Sequence, residues 1–193
     1  MKTETVFGWH FVNDTLRGGS PIPKNGVWLP KIDNILMCRS GYHGSSNPFD
    51  ALKYAPGPVL CRCEYRGEIV WDTDKFVAQE RRIIDRADVT ELLVYFARMQ
   101  AISVVHLWDA PDLVLDWLMT GDKNLRAAAQ DAARGDARGD ARDAARDAAL
   151  AAAQDAAQDA ALAVVQDAAR GAARDDFTDL VYERFGISRV THG

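Results

Sequence analysis

The chain has 193 residues, 48% of them hydrophobic, and 23 basic against 28 acidic residues leave a formal net charge of −5. No basic stripe interleaved with aromatics runs through it, so direct DNA binding is not expected. No run of about 18 apolar residues occurs that could insert into a membrane.

Met1-Lys2-Thr3-Glu4-Thr5 lacks the apolar stretch of a secretory signal, and three cysteines cannot all pair with one another. Both features predict reduced thiols and a cytoplasmic setting. Composition divides the chain. All five Trp, all three Cys and all seven Pro fall before about residue 125, whereas residues 127–174 hold no aromatic residue. The expected fold is α+β: a compact domain over 1–125 with a small mixed β-sheet and packed helices, an Ala-rich tail over 126–174, and an amphipathic end over 175–193.

In chain order, Glu4 to Val12 is rich in β-formers and predicts a strand carrying His10 between Trp9 and Phe11. A strand histidine is most often structural, yet this one can also donate to a ligand hydroxyl. Turn residues then dominate up to Gly26, and Val27-Trp28-Leu29 and Ile35-Leu36-Met37-Cys38 give two short β candidates.

Ser40-Gly41-Tyr42-His43-Gly44-Ser45-Ser46-Asn47-Pro48 reads as a polar turn feeding a short helix. Ser46 or Asn47 suits the cap, Pro48 the first helical position and Asp50 the positive end of the dipole. Pro56-Gly57-Pro58 stops it. Such a turn can receive an anionic or nucleotide-like ligand, with Tyr42, His43, Ser45, Ser46 and Tyr54 as candidate contacts; capping alone accounts for the pattern equally well.

Val59 to Tyr65 alternates as a half-buried strand, followed by a turn at Arg66-Gly67-Glu68, a strand at Ile69-Val70-Trp71 and a strand or helix over 76–84. Glu80, Arg81 and Arg82 read as a surface ion-pair group. Cys38, Cys61, Cys63 and His43 match no common zinc spacing, so no metal is expected. Helices are predicted over about 88–107 and from Asp109-Ala110-Pro111-Asp112 to Gly121.

Residues 127–174 then repeat in fours (DAAR, GDAR, DAAL, DAAQ and relatives), a strong helix pattern that its glycines can break at 135–140. A four-residue period drifts around a helix of 3.6 residues per turn, which disfavours a left-handed coiled coil. A single long helix and a helical hairpin both fit, and self-association is the expected use, because an alanine face alone buries little. Phe177, Leu180, Val181 and Phe185 restore an apolar face able to dock on the N-terminal domain.

The runs Gly8-Trp9-His10-Phe11, Met37 to Ser45, Asp50 to Gly57, Gly67-Glu68-Ile69 and Asp74 to Ile83 resemble an uncharacterised domain of bacteriophage and prophage proteins, over roughly 5–90. The resemblance implies a phage setting inside a host cell and brings no catalytic residue. A looser resemblance is to ADP-ribosyltransferase-like domains, and implies that His10 holds a ribose hydroxyl, Tyr42 stacks on nicotinamide and Glu80 stabilises an oxocarbenium charge. The first expected function is therefore a non-enzymatic, oligomeric phage accessory protein, without cofactor, that binds a host defence protein or its nucleotide-derived signal. The second is an NAD-dependent transferase, and the third a structural or assembly role.

Overall fold

In the computed structural model the described residues are 5–16, 19–107, 109–135 and 158–188, with backbone alone at 158–169. The elements are β1 (Val6–Val12), β2 (Tyr42–Gly44), α1 (Pro48–Leu52), β3 (Val59–Trp71), β4 (Phe76–Asp88), α2 (Thr90–Val104), α3 (Asp112–Thr120), a helix at 126–135 (α4) and α5 (Gln158–Arg184). They group into two compact units, Met1–Leu92 with Arg174–Gly193, and Leu93–Ala173.

The first unit is built on one four-stranded sheet in the order β1-β3-β4-β2. Every pairing is antiparallel, so the mixed sheet expected from the sequence is corrected: β3 and β4 form a long hairpin, and β1 and β2 each add antiparallel to one side of it. The sheet curls until its two ends meet. Trp9 N–H donates to the Ser45 carbonyl at 2.8 Å and Ser45 N–H to the Trp9 carbonyl at 3.0 Å.

That closure depends on two glycines. A Cβ on Gly44 would collide with the Tyr65 hydroxyl, and one on Gly8 would fall 2.7 Å from the Phe76 ring. The edge of β4 beyond β2 is covered by the loop before it: Gly26, Leu29 and Ile32 N–H groups donate to the carbonyls of Ile83, Arg81 and Gln79. The two short β candidates therefore contribute only isolated bridges, Trp28 with Arg82 and Leu36 with Ser40.

Where a turn was predicted at Arg66-Gly67-Glu68, β3 runs on through an irregularity between Arg66 and Ile69, with Gly67 at φ 86°. Gly67 and Glu68 stand opposite Gln79 alone, a bulge that slips the alternation of the hairpin by one residue. Below it Tyr65 pairs with Arg81 and Cys63 with Ile83. Val12, Cys61, Cys63, Tyr65, Phe76, Ala78 and Ile83 form the buried cluster inside the curl.

The opposite face carries charges. Arg66 holds Glu80 through two bonds of 3.0 and 2.8 Å, and Arg82 holds Glu64 at 2.6 Å. Trp28 lies beneath both guanidinium groups, at 4.0 and 4.8 Å.

The end of α5 docks on the first unit, as its apolar face predicted. Phe177 and Val181 are fully buried, Phe177 meets Phe49 edge-on at 5.9 Å, and Trp9 packs on Tyr182 at 6.0 Å and Phe185 at 5.1 Å. Arg174 reaches Asp50 at 2.7 Å and Thr178 reaches Asn47 at 3.0 Å, which ties α5 to α1.

In the second unit Val114, Leu118 and Ala129 form a small core. Arg98 of α2 donates twice to the Leu118 carbonyl, and Gly121 ends α3 in the left-handed conformation at φ 69°. The expected break at 135–140 falls largely, and the choice between one helix and a hairpin wholly, on residues outside the described ones. No helix among the described residues is long and apolar enough to cross a membrane.

Candidate functional site

The curl encloses a cavity of about 750 Å³ in the first unit. One wall is β1 from Trp9 to Val12. A second is Gly41 to Ser45, and the mouth is formed by Cys38, Tyr54, Pro56 and Lys75. The volume lies within the usual range for small-molecule sites, about 300–1,000 Å³.

Charge distinguishes this cavity from an ordinary gap in a core. Its described lining includes Arg81, Lys75, His10 and His43 and not one Asp or Glu, in a chain whose net charge is −5. Arg81 is 4% exposed. Its Nη1 donates weakly to the His43 carbonyl at 3.4 Å, the Tyr65 hydroxyl lies within its reach, and its guanidinium sits 5.5 Å from the centre of the Tyr42 ring. Among the described residues its Nε has no hydrogen-bond partner, and no carboxylate pairs with it. Buried cations are normally paired, because desolvating one costs several kcal/mol.

The two histidines differ in what occupies them. His43 Nε2 accepts the Cys38 N–H at 2.9 Å, and its carbonyl accepts both the Tyr65 hydroxyl at 3.1 Å and Arg81. Cys38, at φ 62°, takes a left-handed backbone to make that contact. His10 makes no hydrogen bond to another described residue through its imidazole, which forms part of the cavity wall. Burial, then the charge of Arg81, then His43 hold its pKa well below the usual histidine range. It is a neutral imidazole at neutral pH.

At the mouth, Lys75 donates to the Tyr54 hydroxyl at 3.3 Å and lies 4.6 Å over that ring. The same hydroxyl donates to Asp74, which Lys53 also holds at 2.8 Å. Tyr42 donates to the Pro30 carbonyl at 2.8 Å, and burial raises its pKa.

Of the predicted contacts, His10, Tyr42, His43, Ser45 and Tyr54 line one cavity. Ser46 does not: it is exposed beyond the closing bridge. Glu80 does not join His10 and Tyr42 either, since the bulge turns it to the charged outer face, where its bonds to Arg66 lower its pKa. The predicted ion-pair group at 80–82 is corrected by the same geometry: Glu80 and Arg82 pair across the hairpin with Arg66 and Glu64, while Arg81 points inward. The start of α1 is no open anion site, because Asn47 accepts its Phe49 N–H at 2.8 Å and the helix is five residues long.

Sequence reasoning missed Arg81 and Lys75. Gly67 inside a strand pattern was the one signal on offer, since a glycine there marks a bulge and a change of phase. Cys61 and Cys63 line no site. Burial, with Cys63 beside it, pushes the Cys61 thiol up to about 12, and burial pushes Cys63 to about 11, so neither is a thiolate at neutral pH. No cluster of His, Cys, Asp or Glu suited to a metal ion exists among the described residues.

No curated protein and no solved structure matches the chain. Residues 6–95, which include every described residue lining the cavity, are similar to a family described as a domain of unknown function (DUF7666).

Proposed function

We propose that this protein acts by binding a small anionic molecule of nucleotide type in the cavity of its first unit. The observation that supports the reading is Arg81: a buried guanidinium with no carboxylate partner among the described residues, in a cavity whose described charged groups are all basic. An entering anion supplies the missing counter-charge, and charge-assisted hydrogen bonds are the strong ones. Tyr42 and Tyr54 add aromatic surface, and Val12, Leu16 and Ile32 add apolar surface, for the body of the ligand.

The same wall favours binding over turnover. A transferase of the kind the looser resemblance implies needs a carboxylate facing the bound sugar, and Glu80 faces the other way. Sequestration of a nucleotide-derived signal, with the Ala-rich segment assembling several copies, is the matching biological role. Titration calorimetry with adenosine 5′-monophosphate and with adenosine tests it. The monophosphate should bind and adenosine should bind at least about tenfold more weakly, the loss of one charge-assisted contact. Equal affinities, or no heat from either, would overturn the reading.

A further inference from the structure

We propose that Arg81 and His10 form a phosphoryl-binding subsite at the polar end of the cavity, and that His10 takes up a proton as the oxyanion enters. The proposal rests on the anionic-ligand reading and specifies its chemistry. Two features of the geometry carry it. Arg81 comes from β4 and His10 from β1, the two strands that flank β3 in the curled sheet, and both line the one cavity. A planar carboxylate satisfies one guanidinium edge; a tetrahedral dianion needs donors from several sides.

The second feature is the division of labour between the histidines. His43 is already engaged at Nε2 and at its carbonyl, and it fixes the positions of Cys38, Tyr65 and Arg81. His10 has no such engagement. It is the one imidazole of the wall whose protonation breaks no described hydrogen bond.

The groups around His10 set the direction of coupling. Arg81 faces it from β4 and His43 from β2, both disfavouring a second positive charge. From β3 it meets Cys61, its register partner, with Cys63 and Tyr65 farther along, all three protonated at neutral pH. Asp85 and Arg86 of β4 act on Cys61 with opposite signs, and Lys75 stands at the mouth. No described acid in the cavity offsets Arg81. A dianion between Arg81 and His10 reverses the field at the imidazole, which then becomes a charged donor. The proton comes from solvent, and no bond to the ligand forms or breaks.

Sulfate is the probe, because it is a tetrahedral dianion whose own charge is constant from about pH 5 to 9, the range in which histidines titrate. The histidine ring resonances of the full chain are titrated in sodium sulfate, in sodium chloride of equal ionic strength and in sodium benzoate, with His10 assigned through His10→Asn. Sulfate should raise the His10 midpoint by about 1–3 pH units, the effect of an opposite charge at close range. Arg81→Gln should abolish that rise, and Arg81→Lys should keep part of it.

Saturable sulfate shifts at cavity resonances with an unmoved His10 midpoint would overturn the proton coupling and leave the anionic-ligand reading standing. Cavity shifts with benzoate and none with sulfate would overturn the phosphoryl class alone. Silence from both anions would overturn the subsite and the reading together.

Discussion

Replacing Arg81 by methionine separates a ligand-binding cation from a structural one. A structural arginine stabilises the fold it belongs to, and its loss exposes the partners it held. Arg81 holds little. Its contact with the His43 carbonyl is long at 3.4 Å, and that carbonyl keeps the Tyr65 hydroxyl at 3.1 Å when the guanidinium is gone. The lost hydrogen bonding to the His43 carbonyl and the Tyr65 hydroxyl costs about 1–2 kcal/mol, and the lost contact with the Tyr42 ring about 0.5–1 kcal/mol. Against this stands the relief of a buried, unpaired charge, where hydrophobic replacement is often neutral or stabilising by about 1–4 kcal/mol. The ligand-free Arg81→Met protein should therefore stay within about 2 kcal/mol of the parent in either direction. In adenosine 5′-monophosphate at a hundredfold excess over the parent's Kd, the parent gains about 2.7 kcal/mol and the variant, weakened at least about tenfold, gains no more than about 1.4 kcal/mol. Urea unfolding with and without the nucleotide reads both quantities. A drop of more than about 3 kcal/mol in the ligand-free variant would refute the reasoning, because a loss of that size marks a cation held by contacts that stabilise the fold.

The closing bridge, the buried imidazole and the thiols each give a further expected outcome. Gly44→Ala drives a methyl group into the Tyr65 hydroxyl beside the bridge; the overpacking should destabilise the protein by about 1–3 kcal/mol in urea unfolding, and a neutral effect would contradict the close approach. Stability should also fall in acid through His10. Its folded pKa lies below the value of about 6.5 expected for an unfolded histidine, so the unfolded chain takes up the proton first. The contribution is fully present above about pH 6.5 and is lost as pH drops toward the folded pKa. His10→Gln should flatten that part of the stability curve in calorimetry between about pH 7 and 5, and an unchanged slope would contradict the assignment. Iodoacetamide at about pH 8 should label Cys38, which is exposed, and spare Cys61 and Cys63 until the protein is unfolded; mass spectrometry of the native protein counts the labels.

Much of the first unit was legible because short-range chemistry decides it. The β-rich run at Val6–Val12, the Asn47-Pro48 start of α1 and the apolar face at Phe177, Val181 and Phe185 are all local patterns, and all three formed as expected. The residues of the cavity wall at 42–45 were legible as a polar, aromatic run, although the turn expected there is corrected: Tyr42–Gly44 is the short strand β2, paired with β4, and Ser45 bridges to Trp9.

Arg81 was not legible, because its side depends on a slip of one residue. Counting by twos from Phe76 sends Ala78, Glu80 and Arg82 inward, which buries two charged groups and exposes Ile83. The bulge opposite Gln79 shifts the count, so Arg81 and Ile83 turn inward while Glu80 and Arg82 meet their partners outside. Nothing in the charges themselves reveals this. Likewise the closing bridge between Trp9 and Ser45 joins residues far apart in sequence, and only the glycines at 8 and 44 hint that two backbones approach there.

Crystals soaked in sodium selenate give the most direct measurement, because anomalous scattering at the selenium edge locates a tetrahedral dianion without assumption. The account predicts a peak inside the cavity within hydrogen-bond distance of Arg81, absent from Arg81→Met crystals. Selenate confined to the outer surface, with the cavity free of anomalous signal, would contradict it.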